Sequence, residues 1–422
     1  MTRYSVLLLC SFTLLAQSSD PARDERWRQD LQFLATELVR VHPDFFTQTS
    51  REDFNRAVTQ LNDSIPTKAD YQILVDMARI VAMGADAHTS LPILGRLRRY
   101  PVRLQWFSDG LFAVQAGTPY ARALGRKLVR IGDTSINDAY AKVAAVIPHE
   151  NDYWVRQLSP DYLICPEVLH ALGIVPQLGT AGFTFQDAGG DTFSLNLPPG
   201  DIRLIPAPHK ARPVIPLYQR SPALFYWFDY LPEARTLYIK YNNCEESPLL
   251  PMAEFGREVV AFIESNPVDR IVLDLRNNSG GDSNVIVPLL NALGQALVSG
   301  VLRLPAGGYA LIGRQTFSSG MLNAIDLKQG GAMLVGEPTG GKPGGFGDTR
   351  SFVLPNSRLT VFHSTRLVGV APGFEGPTVP PDVAVEITSA DYFAERDPFL
   401  EAALRLTAPL PLPPAGSQSA RR

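Results

Sequence analysis

The sequence predicts an α/β chain in three parts: a helical N-terminal domain, a β-rich module, and a C-terminal domain whose parallel or mixed sheet is covered by helices. Three observations predict it. Residues 23–87 carry apolar side chains at three-to-four spacing, residues 102–114 switch to short alternating runs, and from about residue 215 strands apolar on both faces alternate with helical stretches. At 422 residues the chain is long for one core, so several domains are expected.

The N-terminus has one basic residue, Arg3, followed by about a dozen mostly apolar residues and the small-x-small triplet Ala16-Gln17-Ser18. That run is too short to span a bilayer and has the layout of a cleaved export signal over 1–18. Export, to the periplasm or the medium, is the expected localisation. Removing the signal takes Cys10 with it and leaves Cys165 and Cys244, which are either paired or two buried thiols.

The helical domain is expected over 22–97. Trp27, Leu31, Leu34, Leu38 and Val41 form one stripe and Tyr71, Leu74, Met77, Ala78 and Val81 another, with breaks at His42-Pro43 and Ile65-Pro66. The β-rich module is expected over 98–212. Within it the segment 121–136 looks like the part of a PDZ domain where a strand and tight turn precede a helix, which implies either peptide binding by strand addition or a structural module that shapes a cleft. The domain at 213–407 should alternate strands at 236–241, 270–275, 309–313 and 332–335 with helices at 252–263, 284–297 and 321–328. The Pro-rich tail 408–422 is expected to be disordered.

Composition narrows the function. Charged residues make up 19% and hydrophobic ones 45%, with a net charge of −3 and no basic-aromatic interleaving, so nucleic acid is not the expected partner. The six histidines show no metal-ligand spacing and neither HExxH nor CxxC occurs, which disfavours a metal mechanism; no cofactor is expected.

Three motifs carry chemistry. Asp274-Leu-Arg-Asn-Asn-Ser-Gly280-Gly281 lies where a buried strand ends and a helix begins, a place where backbone amides and a helix N-terminus suit a developing oxyanion. Phosphate sites and plain turns use the same geometry. Gln315-Thr-Phe-Ser318-Ser319-Gly320 repeats that context with a hydroxyl, read either as a helix cap or as a nucleophile with the Gly320 amide beside it. Gly336-Glu-Pro-Thr-Gly-Gly-Lys342 ends a third strand in a turn with one cation.

In this order the motifs resemble peptidase family S41, the tail-specific or C-terminal processing proteases. The resemblance implies a ClpP/crotonase-like core and a serine peptidase acting on peptide or protein substrates. Ser319, seventeen residues before Gly336, takes the nucleophile's place, with Gly280, Gly281 and Gly320 as the implied oxyanion donors. One branch of the family pairs the serine with a lysine, and Lys342 occupies that place. The tricorn-like branch uses histidine and glutamate, for which His88 in Asp86-Ala-His88-Thr89 and Glu375, 56 residues after Ser319, stand at matching positions. The histidine branch is favoured, because His needs little tuning to act near pH 7, whereas a lysine must be buried to become a base. Asp86 either helps to hold His88 or caps its turn, and His42 is expected to be structural. A non-catalytic binding protein on the same scaffold and a hydrolase of another amide or ester are the rival readings.

Overall fold

The computed structural model describes residues 20–200, 203–206 and 215–407. The expected export signal and the Pro-rich tail lie outside them. Among the described residues no helix is long and apolar enough to cross a membrane.

Three helices open the chain: α1 (Pro21–Val41), α2 (Arg51–Ser64) and α3 (Asp70–Ala82). Asp20 and Ser50 cap the first two by accepting from first-turn amides, so local chemistry sets where these helices begin. The β-rich module follows with β1 (Val102–Phe107), β2 (Gly110–Gly117), β3 (Lys127–Ile131), β4 (Thr134–Ser135), α4 (Ile136–Ala144), α5 (Asp152–Tyr162), α6 (Pro166–Ala171), β5 (Ala181–Gln186), β6 (Thr192–Leu197) and β7 (Leu204–Pro206). Its antiparallel sheet runs β1-β2-β3-β5-β6, with β4 on β3 and β7 on β2. The segment 121–136 does contain a strand, a tight turn at Gly132 and the start of α4.

The second sheet is built by β8 (Tyr226–Leu231), β9 (Thr236–Tyr241), α7 (Met252–Ser265), β10 (Arg270–Asp274), α8 (Val287–Ser299), β11 (Gly308–Ile312), α9 (Ser318–Gln329) and β12 (Met333–Gly336). After it come the hairpin β13 (Phe346–Val353) and β14 (Thr360–Leu367), then β15 (Val383–Ala384), α10 (Ser389–Phe393) and α11 (Pro398–Arg405). The order is β15-β12-β11-β10-β9-β8, parallel except for the antiparallel edge pair β8-β9. Its central strands β9, β10 and β11 are buried on both faces, as their apolar content requires, whereas the edge strands β8 and β15 are only partly buried. Leu237, Ile239, Leu273 and Ile312 pack under α7, α8 and α9, whereas Tyr238, Val272, Leu311 and Val335 face α11. All three motifs singled out in the sequence lie at the C-terminal ends of β10, β11 and β12, where open α/β sheets place their ligands.

Two features depart from the expected domain plan. The N-terminal helices and the β-rich module share one continuous apolar core, in which Leu38, Ile73 and Val81 meet Leu104, Leu128 and Phe183. The hairpin β13-β14 leaves the C-terminal domain and joins that core through Leu354, Leu359 and Val361. Its turn is held by Asp30, whose carboxylate accepts from the Asn356 and Ser357 amides at 2.8 and 2.7 Å. Docking the hairpin there carries the loop after α3 toward the second sheet. Cys165 and Cys244 are separate buried thiols, one in each core region.

Candidate active site

The site starts from two glycines. Cys244 pairs with the turn after β10: its amide donates to Gly280 O at 3.0 Å and its carbonyl accepts from the Asp282 amide at 2.8 Å. A Cβ on Gly281 would stand 2.2 Å from that carbonyl, and one on Gly280 would meet the Ser318 side chain at 2.7 Å. Both have φ values above +110°, so only glycine fits on either ground. Asn278, fully buried, fastens the turn by donating to Tyr241 O and accepting from the Gly280 amide at 2.9 Å.

The turn after β11 rests on this one. The Phe317 amide donates to Asn278 O at 3.0 Å, and the Thr316 hydroxyl donates to Leu275 O at 3.0 Å. Ser318 then takes a left-handed conformation, φ 49°, which costs about 1–2 kcal/mol for a non-glycine residue. This elbow presents Ser319 to the glycine turn, where its Oγ donates to Gly281 O at 2.6 Å. Phe317 holds the cap position of α9 and no side chain caps the helix, so the helix-cap explanation of Ser319 fails.

The elbow also reaches His88. The Phe317 ring lies between Trp154 of α5, stacked at 4.2 Å, and the His88 imidazole, tilted over it at 4.5 Å. Asp86 anchors the His88 loop. One carboxylate oxygen accepts from the His88 amide at 2.9 Å; the other accepts from Thr89 and Ser364 hydroxyls at 2.5 and 2.6 Å and faces His42 Nε2 at 3.1 Å. Burial alone would raise the Asp86 pKa, but the hydrogen bonds from His42, Ser364 and Thr89, with the His88 ring close by, overrule it and hold the group well below the usual carboxylate range. A buried anion is thus fixed with its Oδ1 3.6 Å from His88 Nδ1, too far for a hydrogen bond.

Neither His88 nitrogen has a hydrogen-bond partner. A second carboxylate, Glu150 just before α5, comes within 4.8 Å of the His88 and Asp86 ligand atoms. Burial, then the Asp86 charge, push its pKa up to about 7, against His88, the Ala87 amide and Lys342, which pull it down. Asp86 already satisfies four donors, so this trio offers a cation only two free ligands. In the folded protein Glu150 binds its proton up to about pH 7, in the unfolded chain only up to about pH 4.5. Stability is therefore highest below pH 4.5 as far as this group is concerned, and falls by up to about 3 kcal/mol as pH rises through 7. Glu150→Gln should raise the urea midpoint at pH 8 and leave it nearly unchanged at pH 5.

The remaining expected residues are placed differently. Glu375 stands in solvent and accepts from the Gly373 amide at 2.9 Å, and the carboxylates brought to His88 are Asp86 and Glu150 instead. The Glu375 carboxylate is engaged within its own loop, two residues back in the chain. Lys342 is half-buried on the Glu150 side and makes no hydrogen bond to Ser319. Of the expected oxyanion donors, the Gly280 amide is taken by Asn278 and the Gly320 amide by Phe317 O. The amides of Gly281 and of Ser319 itself have no acceptor among the described residues, and α9 points its positive end at them.

Around the turns a buried network missed in the sequence holds β9 and β10 together. Lys240 Nζ lies 3.1 Å from Asp274 Oδ1 and donates to Asn277 at 2.8 Å, and Arg276 pairs with Asp274 and Asp397. Beside the elbow a cleft of about 880 Å³ lies between β1 and α5 on one side and the turns after β10 and β11 on the other, with Trp106, Gln157, Asn277, Ser279, Arg314 and Gln315 on its walls.

No protein-family model matches the sequence, and no curated protein is similar to it at a significant level. Solved structures do match. Mature CPAF complexed with lactacystin superposes with a TM-score of 0.62 at 14% identity, covering 91% of this chain and 98% of that one. A CPAF point mutant gives 0.63 at 13% identity, covering 91% and 97%. The photosystem II D1 C-terminal processing protease matches at 14% identity over 90% of this chain and 97% of that one, with a TM-score of 0.38. Nearly the whole length of mature CPAF is therefore matched here, and the fold of this chain is that of mature CPAF.

Proposed function

We propose that the chain is an exported serine peptidase that cleaves peptide bonds through an acyl-enzyme on Ser319. One observation carries the reading: a single elbow sets Ser319 against Gly281 while its Phe317 packs on the His88 ring, so that nucleophile and base are joined through two residues of chain.

The mechanism follows from the groups present. Turning the Ser319 hydroxyl from Gly281 O toward His88 places its proton on a free ring nitrogen while Oγ attacks the carbonyl carbon. Asp86 stabilises the imidazolium by charge, and the Gly281 and Ser319 amides, with the α9 N-terminus behind them, face the oxyanion. His88 then returns the proton to the leaving amine, and water repeats the sequence to release the acyl group. The polar cleft between β1, α5 and the catalytic turns suits an extended polypeptide, and the β-rich module with its PDZ-like segment would guide the chain into it.

A fluorophosphonate probe tests this without knowledge of the natural substrate. Wild-type protein should be labelled on Ser319, His88→Ala should label at least 100-fold more slowly, and Lys342→Ala should retain most of the rate. The reverse pattern would install Lys342 as the base. A second reading, a ligand-binding protein on this scaffold, is favoured by the Ser319 hydroxyl resting on a carbonyl rather than on His88. Absence of labelling in folded wild-type protein would select it.

A further inference from the structure

We infer that Glu150 is a positioning residue of this site: its carboxylate, when ionised, accepts a hydrogen bond from the His88 ring and holds the imidazolium that forms when Ser319 gives up its proton. The inference rests on the Ser319–His88 reading and adds to it the residue that orients the base.

The geometry leaves few other choices. Both His88 nitrogens are buried without a partner, and so is Glu150 Oε2. Two buried polar groups within 4.8 Å of each other, each unsatisfied, gain together by closing the remaining gap. Asp86 cannot fill the role, because its oxygens already take the His88 amide, two hydroxyls and His42. Glu375 is in solvent.

Glu150 is also held in place from behind. Its neighbour Asn151 donates to Gly340 O at 2.9 Å and to Pro377 O at 3.0 Å, clamping the start of α5 to the turn after β12 and to the loop before β15. The charged groups facing it are Asp86 and His88 from the loop after α3 and Lys342 from the turn after β12.

In the reaction Glu150 neither gains nor loses a proton. One ring nitrogen of His88 takes the Ser319 proton as the Oγ–C bond forms and the carbonyl π pair moves to oxygen. The other ring N–H donates to Glu150 throughout. His88 then passes the captured proton to the nitrogen of the breaking C–N bond. Because burial and Asp86 bring Glu150 to titrate at about pH 7, this support is present above neutrality and absent in acid.

The test compares fluorophosphonate labelling rates of the full chain from pH 5 to 9, together with the low-field proton signal of a hydrogen-bonded imidazole N–H. Wild-type labelling should rise through about pH 7 and the signal should appear with it. E150Q should label about 10–100-fold more slowly at pH 8, match wild type at pH 5.5 and lack the signal, and E150D should recover part of both. E150Q labelling within twofold of wild type at pH 8, or an unchanged signal, would overturn the inference. If E150Q does not fold, the wild-type signal decides alone: a signal constant from pH 5 to 9 is equally fatal. Labelling retained in S319A or H88A would instead remove the underlying reading, whereas its loss there and retention in E150Q would remove only the role of Glu150.

Discussion

Ser319→Ala is expected to lower peptide hydrolysis by about four orders of magnitude or more and to leave the fold intact. The size follows from what the hydroxyl does. In the proposed reaction it supplies the attacking atom, and a site without its nucleophile retains only the acceleration from substrate binding and oxyanion stabilisation. The structural cost is small by comparison. The side chain makes one hydrogen bond, to Gly281 O, and does not cap α9, so its loss costs about 1 kcal/mol. Hydrolysis of a peptide library read by mass spectrometry, with circular dichroism as the control for folding, checks both halves. Turnover within tenfold of wild type would show that Ser319 is not the nucleophile.

Asp86→Ala is expected to cost about 3–5 kcal/mol of stability and, with it, nearly all activity. Three side chains and one amide depend on this carboxylate: His42 from the end of α1, Thr89 and the His88 amide from its own loop, and Ser364 from β14. Removing an acceptor from a buried network leaves each donor desolvated and unpaired, which is worse than never having buried it. The hairpin β13-β14 would loosen from the helices at Ser364, and the His88 loop would lose its register. A urea denaturation midpoint and the labelling rate of Ser319 give the two readouts, and a midpoint equal to wild type would deny Asp86 this anchoring role. The pH dependence has a definite sign. A carboxylate held far below its unfolded pKa of about 3.8 contributes its full stability above that value and loses it as pH falls further.

The alternation of strands and helices from residue 236 to 336 was legible because each element is dictated locally. Strands such as Arg270–Asp274 carry a short apolar run, Ile271-Val272-Leu273, and helices such as Met252–Ser265 carry one apolar face. The two strand-to-helix turns were legible for the same reason, since glycine at 280 and 281 and the Ser318-Ser319 pair interrupt strong patterns. Domain limits were less visible. Leu354, Leu359 and Val361 read as part of the last domain, yet they join the core of the first, a choice made by contacts nearly 300 residues away in sequence.

Roles within the site separate in the same way. His88 and Asp86 were within reach because two residues of one loop carry the signal. Glu150 had none: a carboxylate before a helix reads as surface charge until burial and the unpartnered His88 ring give it meaning. Lys240 was similarly hidden inside an apolar strand. The oxyanion donors shifted because hydrogen-bond occupancy is a property of the folded turn, in which Asn278 claims the Gly280 amide.

What the sequence by itself determined is therefore the succession of elements, the places where turns open at the ends of strands, and the candidate serine and histidine. The elements and turns follow from short-range sterics and the period of apolar residues, whereas the serine and histidine follow from the resemblance of their motifs to peptidase family S41. Only the tertiary structure decided which carboxylates surround His88, which amides remain free and which residues share a core. Those depend on desolvation and pairing between distant segments, and no local pattern encodes them.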